Sequence, residues 1–255
     1  MDVSKIGVSK IEVSIEKNIF QTWKTHDVPR HWKGSPKSIK KHMPGWRHIL
    51  TSDEDNLRIV KKHFPKYLSA YLALPYPIQR ADMIRPMLLY LYGGIYIDLD
   101  FVVMKPLDPL FRSGDLFFIP SGNTAMCITN SFMASRAKHP FWLEYLDDML
   151  TPIPRWAYGK HLEVMTSTGP LRLTSTLAKS DSVYSVLPKD KVMPCSVCDI
   201  NDFLCRGGYL RGTQGQSWNA IDSLIINFFL CNGKMVGLYL FVIIMVCWLI
   251  KRTTK

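Results

Sequence analysis

Residues 80–108 read Arg80-Ala-Asp82-Met-Ile-Arg85-Pro-Met-Leu-Leu-Tyr-Leu-Tyr92-Gly93-Gly94-Ile-Tyr96-Ile-Asp98-Leu-Asp100-Phe-Val-Val-Met-Lys-Pro-Leu-Asp108. An apolar, helix-length run from Met83 to Tyr92 meets two glycines, and a β-branched and aromatic burst then leads straight into Asp98 and Asp100. The pattern predicts a helix, a glycine stop, a buried strand and an acidic strand end. Side chains two apart on a strand point the same way, so both carboxylates are expected to face one place. Two bare carboxylates that close repel each other. A divalent cation relieves the repulsion, and all-oxygen ligation favours Mg²⁺, Mn²⁺ or Ca²⁺ over zinc. The competing reading is a strand end with solvated acids. A second acidic triplet, Asp53-Glu54-Asp55, lies among polar residues and reads as a solvated turn or helix start. What sets Asp98 and Asp100 apart is the apolar approach to them, where unpaired charge would be costly.

Outward from this stretch, strands and helices alternate. The segment 15–23 reads as a short strand running into a turn, and 46–51 as a second strand ending in a helix cap at Ser52 or Asp53. Helices are expected over Leu57 to Phe64, ended by Pro65, and over Tyr67 to Leu74, broken by Pro75 and Pro77. After the centre, Phe117 to Pro120 and Asn130 to Ala134 read as strands and Pro140 to Leu150 as a helix. Such alternation predicts an α/β domain with a mainly parallel sheet, helices on both faces, and ligands at the carboxyl ends of the strands.

A chain of 255 residues accommodates one such domain with an appendage. Its 32 basic residues against 21 acidic ones give a net charge of +11, a field that draws a negative partner: nucleic acid, an anionic membrane or an anionic nucleotide. No aromatic-basic recognition motif accompanies the charge, so nucleic acid is the least supported of the three. Cysteines stand at 127, 195, 198, 205, 231 and 247. Cys195-x-x-Cys198 with Cys205 lacks a fourth zinc ligand at the usual spacing, leaving a disulfide within 195–205 or plain thiols.

The motif residues also carry a resemblance. Arg80-Ala81-Asp82, Arg85, Leu89-Tyr90, Tyr92-Gly93-Gly94-Ile95-Tyr96 and Asp98-Leu99-Asp100 resemble the sugar-binding DxD region of glycosyltransferase family 32, which includes fungal Golgi mannosyltransferases and those that modify inositol phosphorylceramide. Gln21-Thr22-Trp23 is similar to the family's opening motif, Val164 to Thr174 to its Thr-Gly-Pro segment, and Ser217-Trp218-Asn219 to its C-terminal Ser-Trp-His. The departures are Glu16 for proline, Phe20 for histidine, Pro86 for an aromatic residue and Asn219 for histidine. The resemblance is dense in 80–108 and extends over most of 15–222.

It implies a GT-A-like single Rossmann-type domain over 15–230, preceded by a polar tail over 1–14. The implied activity is retaining, metal-dependent transfer of a sugar, with mannose from GDP-mannose favoured, to a membrane lipid or glycan such as inositol phosphorylceramide. Asp98 and Asp100 would be catalytic and would hold Mn²⁺ or Mg²⁺ together with Asn219, whose amide oxygen can stand in for imidazole. Gln21, Trp23, Arg80, Asp82, Ser217 and Trp218 would contact the nucleotide sugar. Bottom-up alternatives are a core role for Trp23 and a local cap or ion pair for Arg80 and Asp82. The glycine-rich, basic stretch 206–217 suits a loop closing over an anionic ligand.

Every side chain from Met235 to Ile250 is uncharged, and Lys251, Arg252 and Lys255 follow. Sixteen helical residues span about 24 Å, somewhat under a ~30 Å hydrocarbon core, and Lys234 could snorkel. We expect a single-pass C-terminal membrane anchor over 235–250, the alternative being a buried terminal helix. The basic cluster favours a cytosolic tail with the domain on the lumenal face of the Golgi or ER, whereas the absence of an apolar signal segment in 1–14 and tail-anchor insertion favour the cytosolic face. Two other classes compete with a transferase. One is a haloacid dehalogenase-type phosphatase using Asp98 as nucleophile on a DxDxV strand; against it, that motif normally opens its domain and Asp147-Asp148 sits in a helical pattern instead of at a strand end. The other is a non-catalytic, membrane-tethered sugar-binding protein.

Overall fold

The structure is a computed structural model that describes residues 15–121, 127–194, 198, 208–213, 215, 217–233 and 235–237. Eight strands are β1 (Asn18–Thr22), β2 (Arg47–Thr51), β3 (Gly94–Ile97), β4 (Phe101–Val103), β5 (Leu116–Pro120), β6 (Ile128–Ser135), β7 (Ser185–Val186) and β8 (Leu210–Gly212). Among the described residues the α-helices are α1 (Gly34–His42), α2 (Asp53–His63), α3 (Leu68–Ala73), α4 (Pro77–Tyr92), α5 (Phe141–Asp148), α6 (Gly159–Ser167), α7 (Pro170–Lys179) and α8 (Lys189–Val192). A further helical stretch covers residues 221–233.

Six strands form one sheet in the order β2-β1-β3-β6-β5-β7. The pairs β1/β2, β1/β3 and β5/β7 are parallel, whereas β6 runs antiparallel to both its neighbours. The sheet is therefore mainly parallel with one reversed strand, and that reversal has a consequence. The carboxyl ends of β1 and β3 and the amino end of β6 all arrive at the same edge. Period-two alternation sorts β1 and β3 between two cores: Phe20 and Tyr96 pack on one face, Ile19, Ile95 and Ile97 on the other. The first core is closed by residues of α2, α4, α5 and α7, the second by α1 and α8. Helices thus cover both faces, as the sequence pattern predicts.

Local chemistry sets the elements that carry the site. Ser52 is the N-cap of α2 in a capping box with Asp55, so the second acidic triplet is a helix start. α2 begins at Asp53, four residues before the expected Leu57, because this cap satisfies the first-turn amides. α4 starts with Pro77 as its first residue and keeps Pro86 in its interior. Pro86 has no amide to give the Asp82 carbonyl one turn back, and its ring is buried. Gly169 caps α7, with Pro170 as its first residue, so the Thr-Gly-Pro segment is the joint between two helices.

The acidic strand end needs correction. β3 stops at Ile97, and Asp98 and Asp100 lie on the turn that follows, with the Phe101 amide donating to the Asp98 carbonyl at 3.2 Å. The chain then leaves the main sheet, and β4 pairs with β8 in a separate two-stranded ribbon. Part of the glycine-rich stretch is therefore strand, while residues 206, 207, 214 and 216 lie outside the described ones. Cys198 is bonded to Cys231 instead of within 195–205; Cys195 and Cys205 lie outside the described residues. The tail over 1–14 and most of the expected membrane span, from 238 on, also lie outside them, and no described helix is long and apolar enough to cross a membrane.

The helix-to-strand joint tolerates little change. Gly93 ends α4 with φ of 60° and ψ of 176°, a region essentially confined to glycine, and a Cβ there would overlap the Glu16 carboxylate and come within 2.6 Å of the Ala137 amide nitrogen. Glu16 cannot simply swing away, since it accepts from that amide at 3.0 and 3.1 Å. Gly93→Ala should therefore lower stability by about 2–4 kcal/mol in urea unfolding. A loss near zero would mean that this joint is differently built.

Candidate active site

The edge where β1, β3 and β6 converge opens into a cavity of about 370 Å³. Its floor holds Asp82 and Arg85 from α4, Tyr96 from β3, and Asp98 and Asp100 from the turn; Trp23 and Lys24 follow β1, and Trp218 closes another side. Sequence positions nearly two hundred residues apart meet there because the parallel β1 and β3 end together.

At the centre is Arg85, buried to 4% exposure. One guanidinium nitrogen lies 3.0 Å from Asp82 Oδ1 and donates to the Asn130 carbonyl at 3.1 Å, and the other lies 3.0 Å from Asp98 Oδ1. The guanidinium also sits 4.9 Å from the centre of the Tyr96 ring, whose hydroxyl donates to Asp98 Oδ1 at 2.7 Å. Asp82 is held further by the Asn130 amide at 3.0 Å and the Thr168 hydroxyl at 2.9 Å. Burial opposes charge on Arg85, but Asp98, Tyr96 and Asp82 around it outweigh that and keep it cationic. Burial pushes the Asp82 carboxyl up to about 6 against the pull of Arg85. It raises Asp98 too, with Arg85 and the Tyr96 hydroxyl working the other way.

Asp100 is the under-supported member. Burial, and then the charge of Asp98, push its carboxyl up to about 7, and its Oδ1 is buried with no hydrogen-bond partner among the described residues. Its backbone is fixed, since the Thr213 amide and hydroxyl donate to the Asp100 carbonyl at 2.7 and 2.9 Å. Gly215 lies so close that a Cβ there would overlap the Asp100 carboxylate. An orphaned carboxylate oxygen beside a second carboxylate fits a hard divalent cation. Among the described residues no group of three or more His, Cys, Asp or Glu side chains could hold a metal ion, and the described ligands here are the two carboxylates. That is the usual provision for Mg²⁺, whose other positions go to phosphate and water.

Of the residues singled out in the sequence, Asp82, Asp98, Asp100, Trp23, Ser217 and Trp218 line the cavity. Gln21, Arg80 and Asn219 do not. Gln21 is fully buried behind the turn, donating to Ser35 Oγ at 2.8 Å and to the Asp98 carbonyl at 3.4 Å, with His48 on its other end. Arg80 donates to the Leu74 carbonyl at 2.8 Å, the local role open to it from the start. The reason is helical geometry: residues two apart face different ways, so Arg80 and Asp82 cannot share the cavity, while Asp82 and Arg85, three apart, do. That spacing was the signal for Arg85. Trp23 is half-buried and edge-on to Trp32, centroids 5.0 Å apart, so one face of this pair is available to the cavity. Asp147 and Asp148 are occupied elsewhere, by Lys66 and Tyr67 and by Thr176 and Arg172 respectively, and do not supply the further acids a phosphatase would need here. Lys24 and Lys160 add positive charge to the wall.

Residues 29–116 match the family described as glycosyltransferase sugar-binding region containing DXD motif. The chain is 38% identical over 171 residues to inositol phosphoceramide mannosyltransferase 3 of Schizosaccharomyces pombe, covering 65% of this chain and 46% of that protein. It is 33% identical to a mannosyl phosphorylinositol ceramide synthase of Saccharomyces cerevisiae, covering 82% of this chain and 54% of that one. The chain thus spans about half the length of the curated relatives it matches. Among solved structures, the ligand-free glycosyltransferase domain of the YGT toxin aligns over 69% of this chain and 81% of its own, with a TM-score of 0.52 at 8% identity, a likeness of fold.

Arg85 neutralises two buried acids at once, so removing it should be costly. Arg85→Met is expected to lower stability by about 3–5 kcal/mol at neutral pH. The loss should shrink on acidification: a carboxyl raised above its unfolded value of 3.8 stabilises the fold below that value and loses the contribution as pH rises through the folded one. Urea unfolding of both proteins at pH 5 and pH 7 checks this, and an equal loss at both would refute the buried triad.

Proposed function

We propose that this chain, a member of the glycosyltransferase family defined by that DXD-containing sugar-binding region, transfers a sugar from a nucleotide diphosphate donor to a membrane lipid. Mannose from GDP-mannose is the proposed donor and inositol phosphorylceramide the proposed acceptor, in keeping with the names of the relatives above. The observation that carries the reading is the DXD pair itself, with the buried, unpartnered Asp100 oxygen on the wall of a cavity that also holds aromatic faces and lysines.

Asp98 and Asp100 would hold Mn²⁺ or Mg²⁺; Asn219, outside the cavity lining, is left out of this set. When bound, the ion supplies charge stabilisation for the diphosphate leaving group. The remaining work falls to the chain's own residues. Arg85 and Tyr96 fix Asp98 in orientation and work against the burial that raises its carboxyl. Asp82, immobilised by three donors, offers acceptor oxygens to sugar hydroxyls. Trp23 and Trp218 provide faces for the base or sugar ring, and Lys24 and Lys160 attract the diphosphate. Retention by a front-face route is the stereochemical course that the family resemblance implies. The Cys198–Cys231 disulfide supports an oxidising compartment, hence the lumenal face of the Golgi or ER.

The test is hydrolysis of a panel of GDP- and UDP-sugars by the full chain with Mn²⁺ and with chelator, followed by transfer to inositol phosphorylceramide. One donor should be cleaved only with metal. Asp100→Asn should reduce turnover by about a hundredfold or more while leaving the melting temperature intact. Undiminished turnover in that variant would remove Asp100 from the mechanism, and phosphate release from a simple phosphomonoester with no donor cleaved would replace the transferase by a phosphatase.

A further inference from the structure

The helix over residues 221–233 carries its apolar side outward. Ile221, Leu224, Ile225, Phe228 and Phe229 are each more than half exposed, and at 3.6 residues per turn they form one stripe. The polar side faces the domain. Asp222 accepts from the His161 amide at 2.8 Å, and Ser223, fully buried, shares a 3.0 Å hydrogen bond with His161 Nδ1. The far end is tied down by Cys198–Cys231. This is therefore a docked helix with inverted amphipathicity.

A second exposed patch adjoins it. Trp156 and Tyr158, 58% and 80% exposed, lie on the loop before α6, and Gly159 directly after them packs so closely on Asp222 that a Cβ there would lie 2.9 Å from its carboxylate. Arg155 and Lys160 flank these aromatics. The same elements form the cavity wall, through Lys160 and through Trp218, which stacks on His161 at 5.2 Å.

We infer that the stripe of the 221–233 helix, together with Trp156 and Tyr158, is a bilayer-docking face that seats the cavity mouth against the lipid surface. The chemistry selects lipid over a protein partner. Exposed tryptophan and tyrosine beside basic side chains are what a membrane interface favours, the chain as a whole carries +11, and the uncharged run 235–250 follows the same helix in sequence. A face of this kind would present a lipid headgroup to the site from the side where Trp218 stands. The inference deepens the proposed use of a lipid acceptor by naming the surface, and its test involves no turnover.

The full chain is reconstituted in phosphatidylcholine vesicles containing phosphatidylserine, with the photo-crosslinker p-benzoylphenylalanine replacing Tyr158, Phe228 or, as control, the 85% exposed Val183. Irradiation and mass spectrometry should find lipid adducts at positions 158 and 228 and their loss at 183. Adducts at none of the three, equal adducts at all, or crosslinks at 158 and 228 to a second copy of the chain would each overturn the docking face. Because no donor sugar is present, such a failure leaves the transferase reading untouched, and failure of donor cleavage leaves this one untouched.

Discussion

Everything at the centre of this protein depends on one buried cation. Arg85 lies between Asp82 and Asp98, and without it two carboxylates would stand in an apolar floor with only hydrogen bonds to offset their burial. The penalty for burying an unpaired charge is several kcal/mol, so the triad is built only where geometry can be held tightly. The fold supplies that by placing Asp82 and Arg85 on one long helix and Asp98 on a turn closed by its own backbone bond, directly after a strand whose partners flank it on both sides. Asn130 from β6 and Thr168 from the α6–α7 joint complete the shell around Asp82.

The triad also explains why the two acids of the DXD turn differ. Asp98 is saturated by Arg85 and Tyr96 on one oxygen, and its carbonyl is engaged by Gln21 and by the turn itself. Asp100 has a fixed backbone and an unsatisfied side chain. A site in which one carboxylate is pre-oriented and its neighbour left wanting a cation is suited to binding an ion that arrives with its substrate. The same division explains the separate β4/β8 ribbon. Turning Phe101–Val103 away from the main sheet aims Asp100 into the cavity and lets Thr213 and Gly215 close against it.

Much of this was legible in the sequence because it is local. The glycine pair after an apolar helix, the buried strand and the acidic turn are all short-range signals, and each appears within a residue or two of where it was read. The errors share a cause, which is orientation. Reading Asp98 and Asp100 as strand residues put them on one face by pleat, whereas a turn does the same work by a different route. Pairing Arg80 with Asp82 followed their adjacency in the motif, although helical spacing couples Asp82 to Arg85. Asn130 and Lys160 carried no signal of their own and Thr168 only that of the Thr-Gly-Pro segment, since their roles exist only once an antiparallel β6 and the α6–α7 joint have been packed against α4.

The partner of Cys198 was hidden for the same reason: Cys231 is 33 residues away, at the end of a helix whose polar face had first to find His161. That helix ties the two ends of the argument together. Its first turn is fastened to α6, α6 contributes Lys160 to the cavity, and Trp218 leans on the same His161. The 221–233 helix is therefore joined to one wall of the cavity through a histidine whose pKa burial lowers and whose ring nitrogen is bonded to a serine. If the exposed stripe meets a bilayer, the orientation of the membrane relative to the DXD turn is set by packed side chains instead of by a flexible tether, and the acceptor's approach is fixed before it binds.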